Sequence, residues 1–318
     1  MARILTVTPN PAVDVTYTVE RQLLGETVRV SDVQRRPGGK GLNVARVLHA
    51  LGRTVTAVHP LGGDAGRWIE SALVRDGLPA TTCAISGETR TTVAVVDGVL
   101  HPTLLAEPGP ALSEREWQAL TETITVSLEP GDWVVVAGSF PPATPPSRLA
   151  DLIADVHARE AHVLVDTSGP LLRAAADAGA DVVKANEHEV LDATAEADPA
   201  RALARLGRAG STVMMSQGSD GALLRQTDGR VHERAALPGV TGNPTGAGDA
   251  ATAGLVAALA EGADADTALA WAAVMGAAAV MNRVAGEIDL ALLPELCARA
   301  GIPLAALLPP PPHERTSA

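Results

Sequence analysis

Aromatic side chains are scarce, with Phe, Trp and Tyr together making up only 2% of the 318 residues, while 46% are hydrophobic. The interior is therefore built from Ala, Val, Leu and Ile, which argues against aromatic platforms that stack nucleic-acid bases. Cysteine is almost absent. Cys83 and Cys297 stand far apart without a CxxC or Cys/His spacing, so neither a disulfide framework nor a zinc site is expected, and a reducing cytoplasm fits. Basic charge is outweighed: the formal net charge of −12 argues against a general binder of nucleic acid or anionic membrane, although local basic clusters can still hold a small anion. No apolar run is long enough to span a bilayer. The Ala-rich stretch 267–281, with Trp271 inside it, reads as a helix packed within the protein. The opening MARILTVTPNP lacks a long apolar core and a cleavage site, so it reads as a first strand rather than a signal peptide.

What is present is a rhythm. Short Val/Ile/Leu runs at 4–7, 54–59, 133–137, 162–166, 182–184 and 212–216 recur between helical patterns of about ten to fifteen residues, which implies βαβ units. Their continuous apolarity suits strands covered by helices on both faces, hence an α/β fold with a mostly parallel central sheet and ligands at the strands' C-terminal ends. Two segments break the pattern. The alternation within 13–33 and the run 91–100, with its Asp97-Gly98 turn signal, read as antiparallel strands of a small sheet lying over one edge of the main domain. That sheet is expected either as a lid, pairing with a second subunit, or as a peripheral hairpin. The expected organisation is one domain over 1–308, with lid strands at about 13–35 and 90–100, and a Pro-rich disordered tail at 309–318.

Five motifs can carry chemistry. Gly242-Asn243-Pro244-Thr245-Gly246-Ala247-Gly248-Asp249 runs from a loop into an apolar helix, where free backbone amides and the helix dipole favour an anion. Asp249 beside that cradle can accept a proton from an attacking alcohol; a plain turn with a dipole-favouring carboxylate is the competing reading. The loop is neither a Walker A sequence nor a dinucleotide fingerprint. Gly38-Gly39-Lys40-Gly41-Leu42-Asn43 again turns from glycines into a helix, and together with Asp14 it can meet a polyhydroxylated ligand. Arg29, Arg35, Arg36 and Lys40 concentrate positive charge in an acidic chain; Arg29 and Arg90 suit a phosphate already on the substrate, though solvated arginines are the commoner case. Lys184-Ala185-Asn186-Glu187-His188-Glu189 places Asn186 and Glu189 on one helix face, for Mg²⁺ and its waters or simply as a capping box. Ser216-Gln217-Gly218 ends a strand at a turn that admits a nucleotide or is merely a turn.

In order and together, these motifs resemble the PfkB branch of the ribokinase-like carbohydrate kinases, from Ile4 to about Leu296. Gly38 to Ala45 looks like that family's N-terminal signature, Asn243 to Asp249 like its C-terminal signature, and Lys184 to Glu189 like its KPNxxE element. The resemblance implies a three-layer α/β/α sandwich with a β-lid, often paired through that lid into a homodimer. It implies ATP and Mg²⁺ as cofactors, Asp249 as catalytic base, and Gly246, Ala247 and Gly248 as the anion hole. It places Asp14, Gly38, Gly39, Lys40 and Asn43 at the sugar, and Arg29 and Arg90 at a substrate phosphate. Lys184, Ser216, Gly218 and Asn282 fall near ATP with Gly246 and Gly248, and Asn186 and Glu189 support the metal. Thr8 to Pro11 and Gly87 to Arg90 look closest to 1-phosphofructokinases and tagatose-6-phosphate kinases, and Asn243-Pro244 leans towards the latter. The expected reaction is phosphoryl transfer from ATP to fructose 1-phosphate or tagatose 6-phosphate. A kinase of an unphosphorylated sugar or nucleoside, or a non-catalytic sugar-phosphate sensor, is the alternative. Ala185 stands where the family usually has Pro, and Thr27 near where some 6-phosphofructokinase relatives have a basic residue.

Overall fold

In a computed structural model, described for residues 2–23, 25–99, 102–282 and 286–308, two sheets are formed. The expected Pro-rich tail at 309–318 lies outside the described residues. The larger sheet has the order β13-β12-β11-β10-β9-β8-β1-β4-β5. Its parallel part consists of β1 (Ile4–Val7), β4 (Val55–Leu61), β5 (Ala80–Ala84), β8 (Trp133–Ala137), β9 (His162–Asp166), β10 (Val182–Asn186) and β11 (Thr212–Ser216). β12 (Ala222–Arg225) and β13 (Val231–Arg234) extend it antiparallel.

Helices cover both faces, which is why the central strands are apolar throughout. One face carries α1 (Lys40–Ala50), α2 (Gly63–Arg75), α8 (Ala247–Ala260), α9 (Ala265–Met281), α10 (Leu293–Ala300) and α11 (Leu304–Leu307). The other carries α3 (Glu114–Thr125), α4 (Pro146–His157), α5 (Pro170–Asp177), α6 (Glu187–Thr194) and α7 (Pro199–Leu206). The Ala-rich stretch is α9, a core helix packed on α8. Gly254 lies so close to the Trp271 backbone that a side chain there would overlap the Trp271 carbonyl. Among the described residues no helix is long and apolar enough to cross a membrane.

The first strand, β1, lies inside this sheet; the chain moves outward from it to β4 and β5, then returns to build β8 to β11 on the other side. The order reverses between β1 and β8, and an open α/β sheet holds its ligand in the crevice beyond such a switch point. The smaller sheet stands over that crevice. It has the order β3-β2-β6-β7, from β2 (Ala12–Val19), β3 (Val30–Gly38), β6 (Arg90–Val96) and β7 (Thr103–Ala106). β2 leaves β1 through Thr8 to Pro11, and β3 runs straight into α1, so this sheet is tied to the crevice at both points.

Candidate active site

The two glycine turns meet here. Asn43, on the first turn of α1, donates from Nδ2 to Asp249 Oδ2 at 2.8 Å, across 206 residues of sequence. Asp249 lies in the first turn of α8, whose N-cap Gly246 is left-handed at φ 83°, a conformation that glycine adopts at little cost. The first bond of this helix runs from the Ala250 N–H to the Gly246 carbonyl, which leaves the Gly248 and Asp249 amides without an intrahelical acceptor. The Ala247 amide, expected in the same cradle, instead donates to the Pro244 carbonyl at 3.1 Å. Asp249 is buried, and burial, helped by the nearby charge of Asp166, pushes its carboxyl up to about 6 despite the opposing Asn43 hydrogen bond and the Lys40 and Lys184 charges. Such a group is ionised at neutral pH yet basic enough to take a proton.

Beneath Asp249 lies a charge cluster that no motif announced. Asp166, at the end of β9, is fully buried. Its Oδ1 accepts from Lys40 Nζ at 2.9 Å and its Oδ2 from Lys184 Nζ at 2.8 Å, and the Thr252 hydroxyl lies 2.8 Å from Oδ2. Lys184 is the register neighbour of Asp166 on β10, and Lys40 arrives from the N-terminus of α1. Burial alone would raise the Asp166 carboxyl, but the two ammonium groups outweigh it and hold the carboxyl below its usual range. Burial likewise opposes the charge on Lys40, and Asp166 more than restores it. A Cβ on Gly248 would stand 3.2 Å from Lys184 Nζ, so the missing side chain lets this cation approach the helix end.

On the lid side, the Asp14 carboxyl fills the space where Gly38 would carry a side chain. Burial raises the Asp14 pKa, while Arg46, Arg90 and Arg36 oppose that rise. Arg90 is held by the carbonyls of Asn10 (3.2 Å) and Glu107 (3.0 Å) and by Ser139 Oγ (3.1 Å). Gly39, at φ 116°, caps α1 and packs on Thr8. Arg29 is not brought to this group. It precedes β3 at the end opposite Gly38, about 30 Å away at the usual strand rise, and is exposed.

The residues expected on the nucleotide side lie at adjacent strand ends and turns. Asn186 and Ser216 are register partners on β10 and β11, and Gly218 turns immediately beyond at φ 59°. Asn186 and Glu189 form a complete capping box, Asn186 N–H to Glu189 Oε2 and Glu189 N–H to Asn186 Oδ1, each at 2.9 Å. Ala185, in the place of the family's proline, continues β10 in register with Met215. Asn282 ends α9. Among the described residues no three His, Cys, Asp or Glu side chains gather as a metal cage. The second Glu189 oxygen, Oε1, remains for a hydrated ion, which fits Mg²⁺, a cation that keeps its waters and is held largely by phosphate oxygens.

The sequence pattern of the pfkB family carbohydrate kinases matches residues 8–289. The chain belongs to this family. The kinase is 37% identical, over 80% of its length and 83% of the other protein's, to a 1-phosphofructokinase of Xanthomonas campestris pv. campestris. Among solved structures it superposes on the phosphofructokinase-2 of Escherichia coli in complex with potassium with a TM-score of 0.89, at 28% identity over 95% of this chain and 100% of that one. A possible 1-phosphofructokinase of Thermotoga maritima superposes at 0.80, with 23% identity over 93% and 98% of the two chains, a likeness of fold. The kinase therefore has the ribokinase-like fold and is an ATP-dependent sugar kinase.

Proposed function

We propose that the kinase transfers the γ-phosphoryl group of ATP to a hydroxyl of a phosphorylated ketohexose, fructose 1-phosphate first, giving a bisphosphate and ADP. The observation that carries this reading is the convergence on one crevice of a buried, basic Asp249 beside free helix amides and of Asp14 surrounded by arginines. The 1-phosphofructokinase relative supports fructose 1-phosphate. The Asn243-Pro244 pair before the catalytic turn favours tagatose 6-phosphate as the second reading.

In this mechanism Asp14, Gly38, Gly39 and Asn43 hold the sugar hydroxyls while Arg90 binds the existing phosphate. Asn43 fixes the Asp249 carboxylate, which takes the proton of the attacking hydroxyl. That oxygen forms a bond to the γ-phosphorus as the bond from phosphorus to the β,γ-bridging oxygen breaks, and ADP leaves with the electron pair. The helix amides of Gly246 and Gly248, with Lys184 and Lys40, balance the charge that spreads over the phosphoryl oxygens. Ser216, Gly218 and Asn282 border the nucleotide. Mg²⁺, when bound, neutralises phosphate charge, and Asn186 and Glu189 would hold it through its waters. The exposed apolar residues Val30, Val33, Leu104 and Leu105 support pairing of the lid with a second copy.

The test is a coupled ADP-release assay with Mg²⁺ across fructose 1-phosphate, fructose 6-phosphate, tagatose 6-phosphate and free hexoses. The highest kcat/KM should fall on fructose 1-phosphate. Arg90→Ala should lower kcat/KM for phosphosugars by roughly 10- to 100-fold, the worth of one charge-assisted contact, and leave free hexoses unchanged. Equal specificity for free and phosphorylated hexose would remove the substrate class.

A further inference from the structure

A second basic cavity opens on the outer side of the edge strand β3, between α1, the end of α2 and residues 287–288, with a volume of about 510 Å³. Arg35, Arg36, Arg46, Arg75 and His49 line it over an apolar floor that includes Leu73 and Leu78, and its acids are Asp76 and Glu287. Asp14, Gly39, Asn43 and Arg90 do not line it, so it opens away from the sugar side of the crevice, although Arg36 and Arg46 stand between the two and also act on Asp14. The Arg35-Arg36 run, the densest basic cluster in an acidic chain, faces this cavity rather than Asp249.

The cations here outnumber their partners. Arg36 pairs with Glu287, and Arg75 lies 3.5 Å from Asp76. Arg46 and Arg35 make no direct ion pair among the described residues: Arg46 feels the charges of Asp14 and Asp76 and donates to the Asn43 side-chain oxygen at 2.9 Å and to the Pro37 carbonyl. Burial first, and then the like charge of Arg36, lower Arg46 to about 10 against the opposing charges of Asp14 and Asp76. A cavity of ligand size with several convergent arginines fits a molecule carrying phosphoryl groups, which guanidinium forks bind in pairs.

The same arginine connects the cavity to the reaction centre. Arg46 donates to Asn43 Oδ1, and Asn43 Nδ2 donates to Asp249 Oδ2, so one side chain separates the cavity from the proposed base. We infer that this cavity is a regulatory site for a small phosphorylated polyanion, which lowers turnover by drawing Arg46 away from Asn43. Asn43 then loses the anchor that aims its amide at Asp249. The coupling half of the inference rests on the proposed role of Asp249; the binding half does not.

Inorganic pyrophosphate is the probe, titrated calorimetrically into the full chain at fixed free Mg²⁺ and compared with the Arg35→Ala/Arg75→Ala double variant. Both residues are exposed and outside the proposed catalytic group. The double variant should keep wild-type turnover in the absence of pyrophosphate and bind it roughly tenfold more weakly or worse. In the wild type, pyrophosphate should lower kcat several-fold at saturating ATP and sugar phosphate, and the variant should resist. Equal affinity in the two proteins, or inhibition that excess ATP or sugar phosphate abolishes, would overturn the site. Tight binding without an effect on kcat would overturn the coupling. If the chain proved inactive on every sugar, the calorimetric comparison would still decide whether the cavity binds the anion.

Discussion

Lys40 and Lys184, the only two lysines in the chain, stand on the two oxygens of one buried carboxylate, Asp166. Every other strong cation is an arginine. An ammonium is a compact charge with three donors, so it can bond Asp166 and still present hydrogens to a phosphoryl group above it, whereas a planar guanidinium would need a wider slot. One buried anion thus holds two cations at the end of the helix that carries Asp249.

Removing that anion should be costly. Asp166→Asn leaves Lys184, whose side chain is 5% exposed, without its counter-charge, and deleting one partner of a buried pair costs about 3–5 kcal/mol. The lower end is expected, because Lys40 is 37% exposed and water compensates it in part. Urea unfolding midpoints check this. Because the Asp166 carboxyl is held below its ordinary value in the fold, its contribution is complete above about pH 4 and is lost as pH falls through the depressed folded value. The wild type should therefore lose more stability than the variant on acidification.

The raised Asp249 carboxyl makes a second prediction. As the proposed base it works only when ionised, so kcat/KM, which reports the free enzyme, should fall about tenfold per pH unit below about 6 and level off above. Asn43→Ala removes the hydrogen bond that favours the ionised form and should move this limb to higher pH. A limb near pH 4, the ordinary carboxylate range, would contradict the burial argument.

Much of this site was legible in the sequence because glycines mark where backbone must approach a ligand. The central strands were legible as continuous apolar runs. The turn from Ser216 to Ala222 read as a hairpin, and β11 and β12 form it; β5 and β13 were not legible, since Ala80–Ala84 is rich in threonine and Val231–Arg234 is short and half-exposed. Asp166 and Thr252 were missed as site residues, because each is a single polar residue at the edge of an apolar segment, and only strand register and helix packing bring them together. The one available signal was a carboxylate closing the run 162–166, one strand from Lys184. Arg29 was expected beside Arg90 from residue type, and strand register places it at the far end of β3, so the two do not meet within one chain.

The close approach of Asp14 to Gly38 predicts a steric lesion confined to sugar binding. In Gly38→Ala the new Cβ would overlap the Asp14 carboxyl. KM for the sugar phosphate should rise roughly tenfold or more, with KM for ATP unchanged, because the displaced carboxylate serves the proposed sugar side alone. Initial-rate kinetics with each substrate varied in turn check it; a parallel rise in both constants would point to a general distortion.

The most direct measurement is turnover of Asp249→Asn in the ADP-release assay, with sugar-phosphate binding followed calorimetrically on the same preparation. Loss of the proton acceptor, with shape and the Asn43 neighbourhood kept, should reduce kcat by a factor on the order of 10²–10⁴ and leave sugar affinity nearly unchanged. Wild-type turnover in that variant would contradict the assignment of Asp249 as the base.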